Sequence, residues 1–247
     1  MKTHAVTDIG LVRHENQDAC KILELPELNG LLAVVCDGMG GAAGGRIASE
    51  LAIESFTDAM NGFLCAPDFS VDEIILHQYF SEAVYRANRD VFDRSVITPD
   101  LKGMGTTLSA ALILGDRLFT VNIGDSRIYL LRDLKFTRLT HDDSYVQGLI
   151  DQGRLTEEDA HLHPRRNLLT RAVGTKPYTE FEFKSHTVVR GDRLLLTSDG
   201  LTSCVRDSEI AALLTVIKKT DGAAEALIAA AKSAGGPDNI TVTVVDI

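Results

Sequence analysis

Short apolar runs separated by turn residues constrain the fold of this 247-residue chain more than any other feature. Four of them follow one another closely in the middle of the sequence, over Leu108–Leu114, 118–123, 128–131 and 136–139. Gly-Asp or Arg-Asp pairs lie between them, and glycine and aspartate are typical turn residues. Short strands at this spacing predict an antiparallel meander and argue against a succession of βαβ units.

Helical patterns lie on both sides of this meander. Apolar and alanine residues recur at three- to four-residue spacing over 47–60, and a second helical pattern covers 71–92. Two more helices are predicted over 207–218 and 221–232. Further strands are predicted over Asp18–Leu25, 31–37, 181–189, Arg193–Thr197 and 240–247. Together these elements predict an α+β fold with much antiparallel sheet and two groups of helices.

The stretch 140–175 differs from its surroundings. It is polar, and it contains two short helical patterns, one of which begins at Thr156 before three acidic residues. An insertion of this kind between strands predicts a surface flap, and long loops are often functional. No repeat, low-complexity tract or Pro/Ser-rich linker divides the chain, so residues 1–247 are predicted to form one domain that includes this flap.

Composition and charge exclude several classes of partner. The formal net charge is −10 without a basic block, so we expect no nucleic-acid partner. No run of about 18 apolar residues suggests a membrane span, and no secretory signal follows Lys2, so we expect a cytoplasmic protein without membrane insertion. The four cysteines lack CxxC spacing and are expected to be small buried thiols of a reducing compartment. A monomer is the default expectation.

Aspartates follow several of the predicted strands. Asp37, Asp125 and Asp199 each come at the end of an apolar run, and Asp238 precedes the last one. An isolated Asp-Gly pair usually marks only a turn, but four such residues in one context predict carboxylates that converge on one edge of the sheets. Unpaired carboxylates placed together would repel one another and would lose hydration, and divalent cations relieve both costs.

The type of ligand narrows the choice of metal. Carboxylate, carbonyl and water oxygens suit Mg²⁺ or Mn²⁺, whereas zinc favours histidine or cysteine. The glycine after Asp37, Gly38, would let the backbone approach an ion and offer its carbonyl oxygen. A water bridging two such ions about 3.5–4 Å apart would have a lowered pKa, and the ions would stabilise the attacking and leaving oxygens of an in-line displacement at phosphorus.

Six motifs in a fixed order carry a family resemblance across nearly the whole chain. They are Arg13-His14-Glu15-Asn16-Gln17-Asp18, Asp37-Gly38-Met39-Gly40-Gly41, Gly103-Met104-Gly105-Thr106-Thr107, Gly124-Asp125-Ser126-Arg127, Ser198-Asp199-Gly200 and Gly236-Pro237-Asp238-Asn239. The sequence resembles the bacterial metal-dependent protein phosphatases of the PPM, or type 2C, family. Within that family it is most similar to housekeeping members that oppose transmembrane Ser/Thr kinases with PASTA repeats.

This resemblance implies a four-layer α-β-β-α sandwich of two mainly antiparallel sheets, with metals in a cleft at one sheet edge. By position, Asp37 resembles the ligand that bridges both ions, and Gly38 would contribute its carbonyl. Asp199 and Asp238 resemble the remaining protein ligands of one ion. Asp125, together with Asp199, resembles the residues that hold a third, weaker ion in bacterial relatives.

Two further residues are implied to act in catalysis. Asp18 resembles a residue that orients metal-bound water, and Arg13 resembles the residue that binds the substrate phosphate, to which a guanidinium fork is well matched. Two positions depart from parts of the family. Gln17 stands where several members have glutamate, and Met39 stands where animal relatives have a histidine that is the candidate general acid, so the leaving group must take its proton from metal-bound water or another residue.

The function implied is hydrolysis of phosphoserine and phosphothreonine on proteins by a hydroxide that bridges two Mn²⁺ or Mg²⁺ ions. The partners would be phosphorylated proteins, including substrates of a PASTA-type kinase. A phosphatase of the haloacid-dehalogenase type requires a D-x-D motif, which Asp37-Gly38-Met39 does not supply. A catalytically inactive phosphoprotein-binding scaffold on the same fold is the remaining alternative.

Some other residues are expected to have ordinary roles. His161 and His163 are interpreted as a solvated pair and not as a zinc site, because no cysteine partners accompany them. Asp142 and Asp143 are expected to be solvated or capping charges. The segment 103–107 is interpreted as a tight turn that supports the site without touching metal.

Overall fold

Two antiparallel sheets form the centre of the structure, a computed structural model that describes residues 1–67 and 69–247, with only the backbone at 42 and 43. The first sheet has the strand order β1-β11-β10-β7-β8. Its strands are β1 (Lys2–Asp8), β7 (Arg127–Arg132), β8 (Lys135–Arg138), β10 (Arg193–Thr197) and β11 (Ile240–Asp246). All neighbouring strands in it are antiparallel.

The second sheet has the order β2-β3-β5-β6-β9, and a short strand, β4, pairs with the end of β3. Its strands are β2 (Asp18–Leu25), β3 (Gly30–Met39), β4 (Gly105–Thr106), β5 (Leu108–Leu114), β6 (Arg117–Ile123) and β9 (Glu182–Thr187). These pairs are antiparallel as well. The four strands predicted as one meander, β5 to β8, are all present, but they form two hairpins in different sheets, β5–β6 in the second and β7–β8 in the first.

Helices cover the outer face of each sheet. Two long helices, α1 (Gly41–Leu64) and α2 (Glu73–Ile97), pack on the second sheet. The first sheet is covered by α5 (Asp199–Thr202), α6 (Asp207–Val216) and α7 (Thr220–Ser233). The result is a four-layer α-β-β-α arrangement, which confirms the predicted fold class. None of the helices in the described ranges is long and apolar enough to cross a membrane.

Burial on both faces explains why the central strands have continuous apolar sequences. In β3, Leu31 and Val35 face the other sheet, whereas Leu32 and Val34 face the helices α1 and α2. The same division occurs in β10, where Leu195 packs against α6 and α7 and its neighbours face the opposite sheet. Side chains of a strand alternate between faces, so a strand between two packed layers must be apolar at every position.

Several elements differ from the sequence-based expectation. Helix α2 continues to Ile97, five residues past its predicted end at 92, and neither β4 nor α5 was predicted. The helix predicted to begin at Ile47 begins at Gly41, and its glycine-rich first turn lies against the end of β3. A Cβ atom on Gly45 would lie 2.7 Å from the carbonyl oxygen of Gly38. Glycine, despite its low helix propensity, therefore allows the first turn of α1 to approach the end of β3 closely. Strand β1, which was not predicted, is an edge strand with mostly half-buried residues and pairs with β11.

Between β8 and β9 the chain contains two short helices, α3 (Tyr145–Asp151) and α4 (Glu157–Ala160). The side chain of Thr156 accepts a hydrogen bond from the backbone N–H of Asp159, as expected for the predicted helix start. The segment leaves the sheet after β8 and returns to pair Val173 with Thr106 of β4. Both helices therefore lie within residues 140–175, the segment predicted to be a flap.

Candidate active site

An open cleft of about 610 Å³ lies at the sheet edge where β3, β6 and β10 end and β2 and β11 begin. Six of the seven predicted site residues line it, and these are Arg13, Asp37, Gly38, Asp125, Asp199 and Asp238. Asp18 lies at the first position of β2, next to Asp37 in the register with β3, and its side chain is almost completely buried. The antiparallel topology thus brings together residues that are up to about 225 positions apart.

Strand β3 positions Asp37 and Gly38. The backbone N–H of Asp37 donates to Oγ1 of Thr107 at 2.9 Å, and its carbonyl accepts from the Thr107 N–H and the Thr106 hydroxyl, both at 2.9 Å. A Cβ atom on Gly38 would lie 2.0 Å from the carbonyl oxygen of Gly45, so only glycine fits beneath α1. Thr106 and Thr107 belong to the segment that was expected to support the site, and they do so through the backbone of Asp37.

Asp199 and Asp238 lie next to the ends of two adjacent strands of the first sheet, β10 and β11. Asp199 is the first residue of α5, directly after β10, and Asp238 precedes β11. The two segments are in close backbone contact, because a Cβ atom on Gly200 would lie only 1.9 Å from the carbonyl oxygen of Asn239. Glycine at position 200 therefore sets how near Asp199 lies to the Asp238 segment.

Asn239 is a structural residue of the site that the sequence did not single out, although one motif contained it. Its side-chain amide donates to the carbonyls of Ile9 and Glu15, both at 3.0 Å, and its Oδ1 accepts from the Gln17 N–H at 2.9 Å. These bonds hold the loop between β1 and β2, on which Arg13 lies, against the start of β11. The sequence signal for this role was the position of Asn239 beside Asp238. Its hydrogen-bond partners lie more than 220 residues away, so the sequence did not indicate them.

Asp18 is held beneath the cleft by Ser198. The Ser198 hydroxyl donates to Oδ2 of Asp18 at 2.7 Å and accepts from the Thr241 N–H, whereas Oδ1 of Asp18 is buried without a partner among the described residues. Burial, and then the charges of Asp199 and Asp238, raise the pKa of Asp18 to about 7. The hydroxyl of Ser198 is fully engaged by these two hydrogen bonds.

The cleft is lined by more acidic than basic side chains. Burial is the main cause that raises the pKa of Asp37, Asp125 and Asp199, and repulsion from neighbouring aspartates adds to it. A side-chain hydrogen bond with Asp37 opposes part of the rise in the pKa of Asp199. Two carboxylates in such contact require a shared proton or a cation between them, so this donor set fits a bound cation.

Carboxylates alone would not complete the coordination of an ion. Over residues 1–67 and 69–247, no three His, Cys, Asp or Glu side chains lie together as one compact ligand group. Backbone carbonyl and water oxygens would therefore have to supply the remaining ligands, which is the mode typical of Mg²⁺ and related hard cations. The all-oxygen donor set fits Mg²⁺ or Mn²⁺ and does not favour zinc.

Arg13 provides positive charge at the rim of the cleft. Its Nη2 donates to Oδ2 of Asp238 at 2.7 Å, and the side chain is 50% exposed. This hydrogen bond is the main cause that raises the pKa of Arg13. The guanidinium is therefore beside the carboxylates and still reaches solvent, where an anionic ligand could bind it.

The cleft is also lined by the two residues at which the sequence departs from parts of the family, and by residues of the segment 140–175. Gln17 and Met39 both line it, and Gln17 donates to the carbonyl of Gly41 at 2.8 Å. Asn167 and Leu169, from the segment 140–175, also line it. His163 is not among the lining residues; its ring packs on Tyr145 with centroids 5.8 Å apart.

The expectation that Asp142 and Asp143 are solvated or capping charges is wrong. They are 6% and 5% exposed, and each forms an ion pair with an arginine. Asp142 accepts from Arg127 and Asp143 accepts from Arg171. The arginines lie 15 and 28 residues away in sequence, so local patterns could not indicate this burial.

Fold and site together define a four-layer α-β-β-α protein with a carboxylate-rich cleft of the kind that binds divalent cations. A family model described as Protein phosphatase 2C matches residues 13–231. The serine/threonine protein phosphatase PstP of Mycobacterium tuberculosis is 40% identical over 247 residues, covering 98% of this chain and 44% of that protein. This chain therefore spans less than half the length of that relative.

Two further comparisons agree. The serine/threonine phosphatase stp of Listeria monocytogenes is 36% identical over 240 residues, covering 97% of this chain and 93% of that protein. A crystal structure of the catalytic domain of PstP in complex with two manganese ions matches with a TM-score of 0.84 and 39% identity, covering 99% of this chain and 97% of that one. The chain belongs to the protein phosphatase 2C family.

Proposed function

We propose that this chain is a metal-dependent protein phosphatase that hydrolyses phosphoserine and phosphothreonine on other proteins. The observation that carries this proposal is the convergence of Asp37, Asp125, Asp199 and Asp238 with Arg13 in one open cleft. The relatives named as serine/threonine phosphatases support the reaction class. The inactive-scaffold alternative is not favoured, because every proposed ligand position carries a suitable oxygen.

By the resemblance, Asp37 and the Gly38 carbonyl would hold one ion, and Asp125 with Asp199 would hold a third, weaker one. Asp37, Asp199 and Asp238 would share the second ion, and these three side chains, which do not form one compact group in this structure, would have to draw together around it. When bound, Mn²⁺ or Mg²⁺ would supply an activated water and neutralise charge on the phosphate. The PstP structure with two manganese ions supports the two-ion part of this arrangement.

The protein's own groups would position the substrate. Arg13 binds non-bridging phosphate oxygens through its guanidinium, which already lies at the rim and can exchange its bond to Asp238 for bonds to the ligand. Asp18, fixed by Ser198, orients water in the floor of the cleft. Met39 cannot donate a proton, so the leaving alkoxide takes its proton from water or from another residue. Catalysis is then mainly positioning and electrostatics.

Several finer proposals go with this function. The substrates would be phosphorylated proteins in a cytoplasmic signalling system, with a PASTA-type kinase as the opposing enzyme. All four cysteines are free, which is consistent with a reducing compartment. We further propose that the chain acts as a monomer, that residues 1–247 form one domain, and that 140–175 is a flap that helps to select substrates.

Hydrolysis of p-nitrophenyl phosphate and of a phosphothreonine peptide, measured against Mn²⁺ and Mg²⁺ concentration, tests the proposal. Asp37→Asn and Asp238→Asn should abolish the metal-dependent rate. Asp246→Asn is the matched control, because Asp246 is also partly buried and ion-paired but lies at the far end of β11. Full activity after exhaustive chelation would refute the metal-dependent reaction, and peptide binding without any hydrolysis would support the scaffold.

A further inference from the structure

The loop between β1 and β2 exposes three large apolar side chains. Ile9 is 40% exposed, and Leu11 and Val12 are each 61% exposed. Single exposed apolar residues are ordinary on protein surfaces, whereas three within four consecutive positions are more typical of a contact site. Val12 is the member of this group that lines the cleft, and it directly precedes Arg13, the residue proposed to bind phosphate.

Hydrogen bonds hold the backbone of this loop in place. The Leu11 N–H donates to the Gly236 carbonyl at 2.7 Å. The side chain of Asn239 donates to the Ile9 carbonyl and, beyond Arg13, to the Glu15 carbonyl, both at 3.0 Å. The apolar side chains are therefore displayed on a fixed backbone, so a ligand can cover them at little cost in conformational entropy.

A peptide whose phosphate binds Arg13 brings its neighbouring residues to Val12. Consecutive residues of an extended peptide are only about 3.3–3.6 Å apart along the chain, so the residue beside a bound phosphothreonine lies within reach of the residue beside Arg13. The charged groups nearby are already engaged, since Arg13 is paired with Asp238 and Glu15 is paired with Arg46. An apolar neighbour would bury surface on Val12, whereas a charged one would lose hydration there.

We propose that Val12 is a specificity-determining residue that selects phosphopeptides with an apolar residue directly beside the phosphorylated serine or threonine. Ile9 and Leu11 continue this surface along the loop. The proposal rests on the proposed function, because it places the substrate phosphate at Arg13. The contact is remote from the reacting atoms, so it stabilises bound substrate and transition state equally and should appear in KM and not in kcat.

Two phosphothreonine peptides test the proposal, one with leucine and the other with serine on both sides of the phosphothreonine. The wild type should favour the leucine peptide about tenfold in kcat/KM, mainly through KM, which is the lower end of the range for a changed apolar contact. Val12→Ser should reduce this preference to about twofold or less, whereas the conservative Val12→Leu should keep it.

Val189 provides the matched control. It is also an exposed valine, at 53%, and it lies before β10, whereas the cleft lies where that strand ends. Val189→Ser makes the same chemical change on another part of the surface and should keep the wild-type preference. Both serine variants should unfold close to the wild-type temperature, because substitutions of exposed residues have small effects on stability.

A wild type without preference for the leucine peptide would overturn the proposal. So would a Val12→Ser variant that keeps the preference, or one that lowers kcat/KM equally for both peptides. Sedimentation that shows a wild-type dimer lost in Val12→Ser would assign the surface to a second copy of the chain and would also overturn it.

The proposed function can fail separately. If the wild type hydrolyses neither peptide, the proposed function fails, and the dissociation constants of the two peptides take the place of kcat/KM. A preference for the leucine peptide that Val12→Ser removes would then keep the role of Val12, and equal dissociation constants would overturn it.

Discussion

Replacing Gly200 with alanine tests whether close contact between two backbone segments sets the geometry of the cleft. Gly200 is buried, follows the proposed ligand Asp199, and lies against the backbone of Asn239, which follows the proposed ligand Asp238. The added Cβ atom would lie 1.9 Å from the Asn239 carbonyl oxygen, whereas ordinary van der Waals contact begins at 3.4 Å. The two segments must therefore separate by about 1.5 Å, the difference between these distances.

This separation has two consequences of known size. Inserting a methyl group into a packed site should cost about 1–3 kcal/mol of the free energy of unfolding. A displacement of about 1 Å in a catalytic constellation can cost about 100-fold in rate, so kcat/KM for a phosphothreonine peptide should fall by at least that factor. The Mn²⁺ concentration for half-maximal activity should also rise, because Asp199 and Asp238 would no longer converge on one ion.

The measurement combines thermal unfolding with Mn²⁺ titration of activity. Gly62→Ala is the control, since Gly62 lies in α1 and its Cβ would meet nothing within 4 Å. That substitution should raise the free energy of unfolding by about 0.5–1 kcal/mol and leave the rate unchanged. If Gly200→Ala keeps wild-type stability and wild-type Mn²⁺ dependence, then the contact does not position these carboxylates and the reasoning fails.

Two further predictions concern ion pairs. Arg13→Gln should lower kcat/KM on phosphopeptides about tenfold or more, which is the value of one charged hydrogen bond. It should change the free energy of unfolding by less than about 1 kcal/mol, because Arg13 is 50% exposed in its pair with Asp238. A large loss of stability with normal kinetics would contradict this. Burial raises the pKa of Asp246, but hydrogen bonds from Arg193 and Thr220 lower it by more. The stability from this group is therefore present above the unfolded-state pKa near 4 and is lost as pH falls through the lower folded-state value. Asp246→Asn should flatten that acid loss in melts at pH 2–5, and parallel wild-type and variant curves would refute it.

The sequence was informative wherever a single element determined the outcome. Strands β2, β5 and β10 have the predicted boundaries, because each is a short apolar run between turn residues. The predicted convergence of Asp37, Asp125 and Asp199 required only that strands from two packed sheets end at one edge. These patterns are local, and local patterns can be read without knowing the partners of each residue.

Predictions failed where the outcome depended on distant partners. Strand β1 has mixed polarity and becomes a strand because β11, near the other end of the chain, pairs with it. The first turn of α1 is rich in glycine and lay outside the predicted helix over 47–60, although its approach to Gly38 requires glycine. Asp142 and Asp143 were expected in solvent because their arginine partners are separated in sequence. Tertiary contacts override local preference in each case.

The division of the cleft between the two sheets makes the inter-sheet core part of the site. Asp37 lies near the end of β3 and Asp125 follows β6, both in the second sheet, whereas Asp199 and Asp238 flank strands of the first. The distance between these two sets depends on how the sheets pack, and packed sheets lie about 10 Å apart with interdigitated side chains. Leu31, Val35 and Leu196 are among the buried residues that fill this space. Such a close-packed core deforms little, so it holds the carboxylates of the two sheets close together despite their mutual repulsion. A bound cation then has only to supply the positive charge that offsets this repulsion.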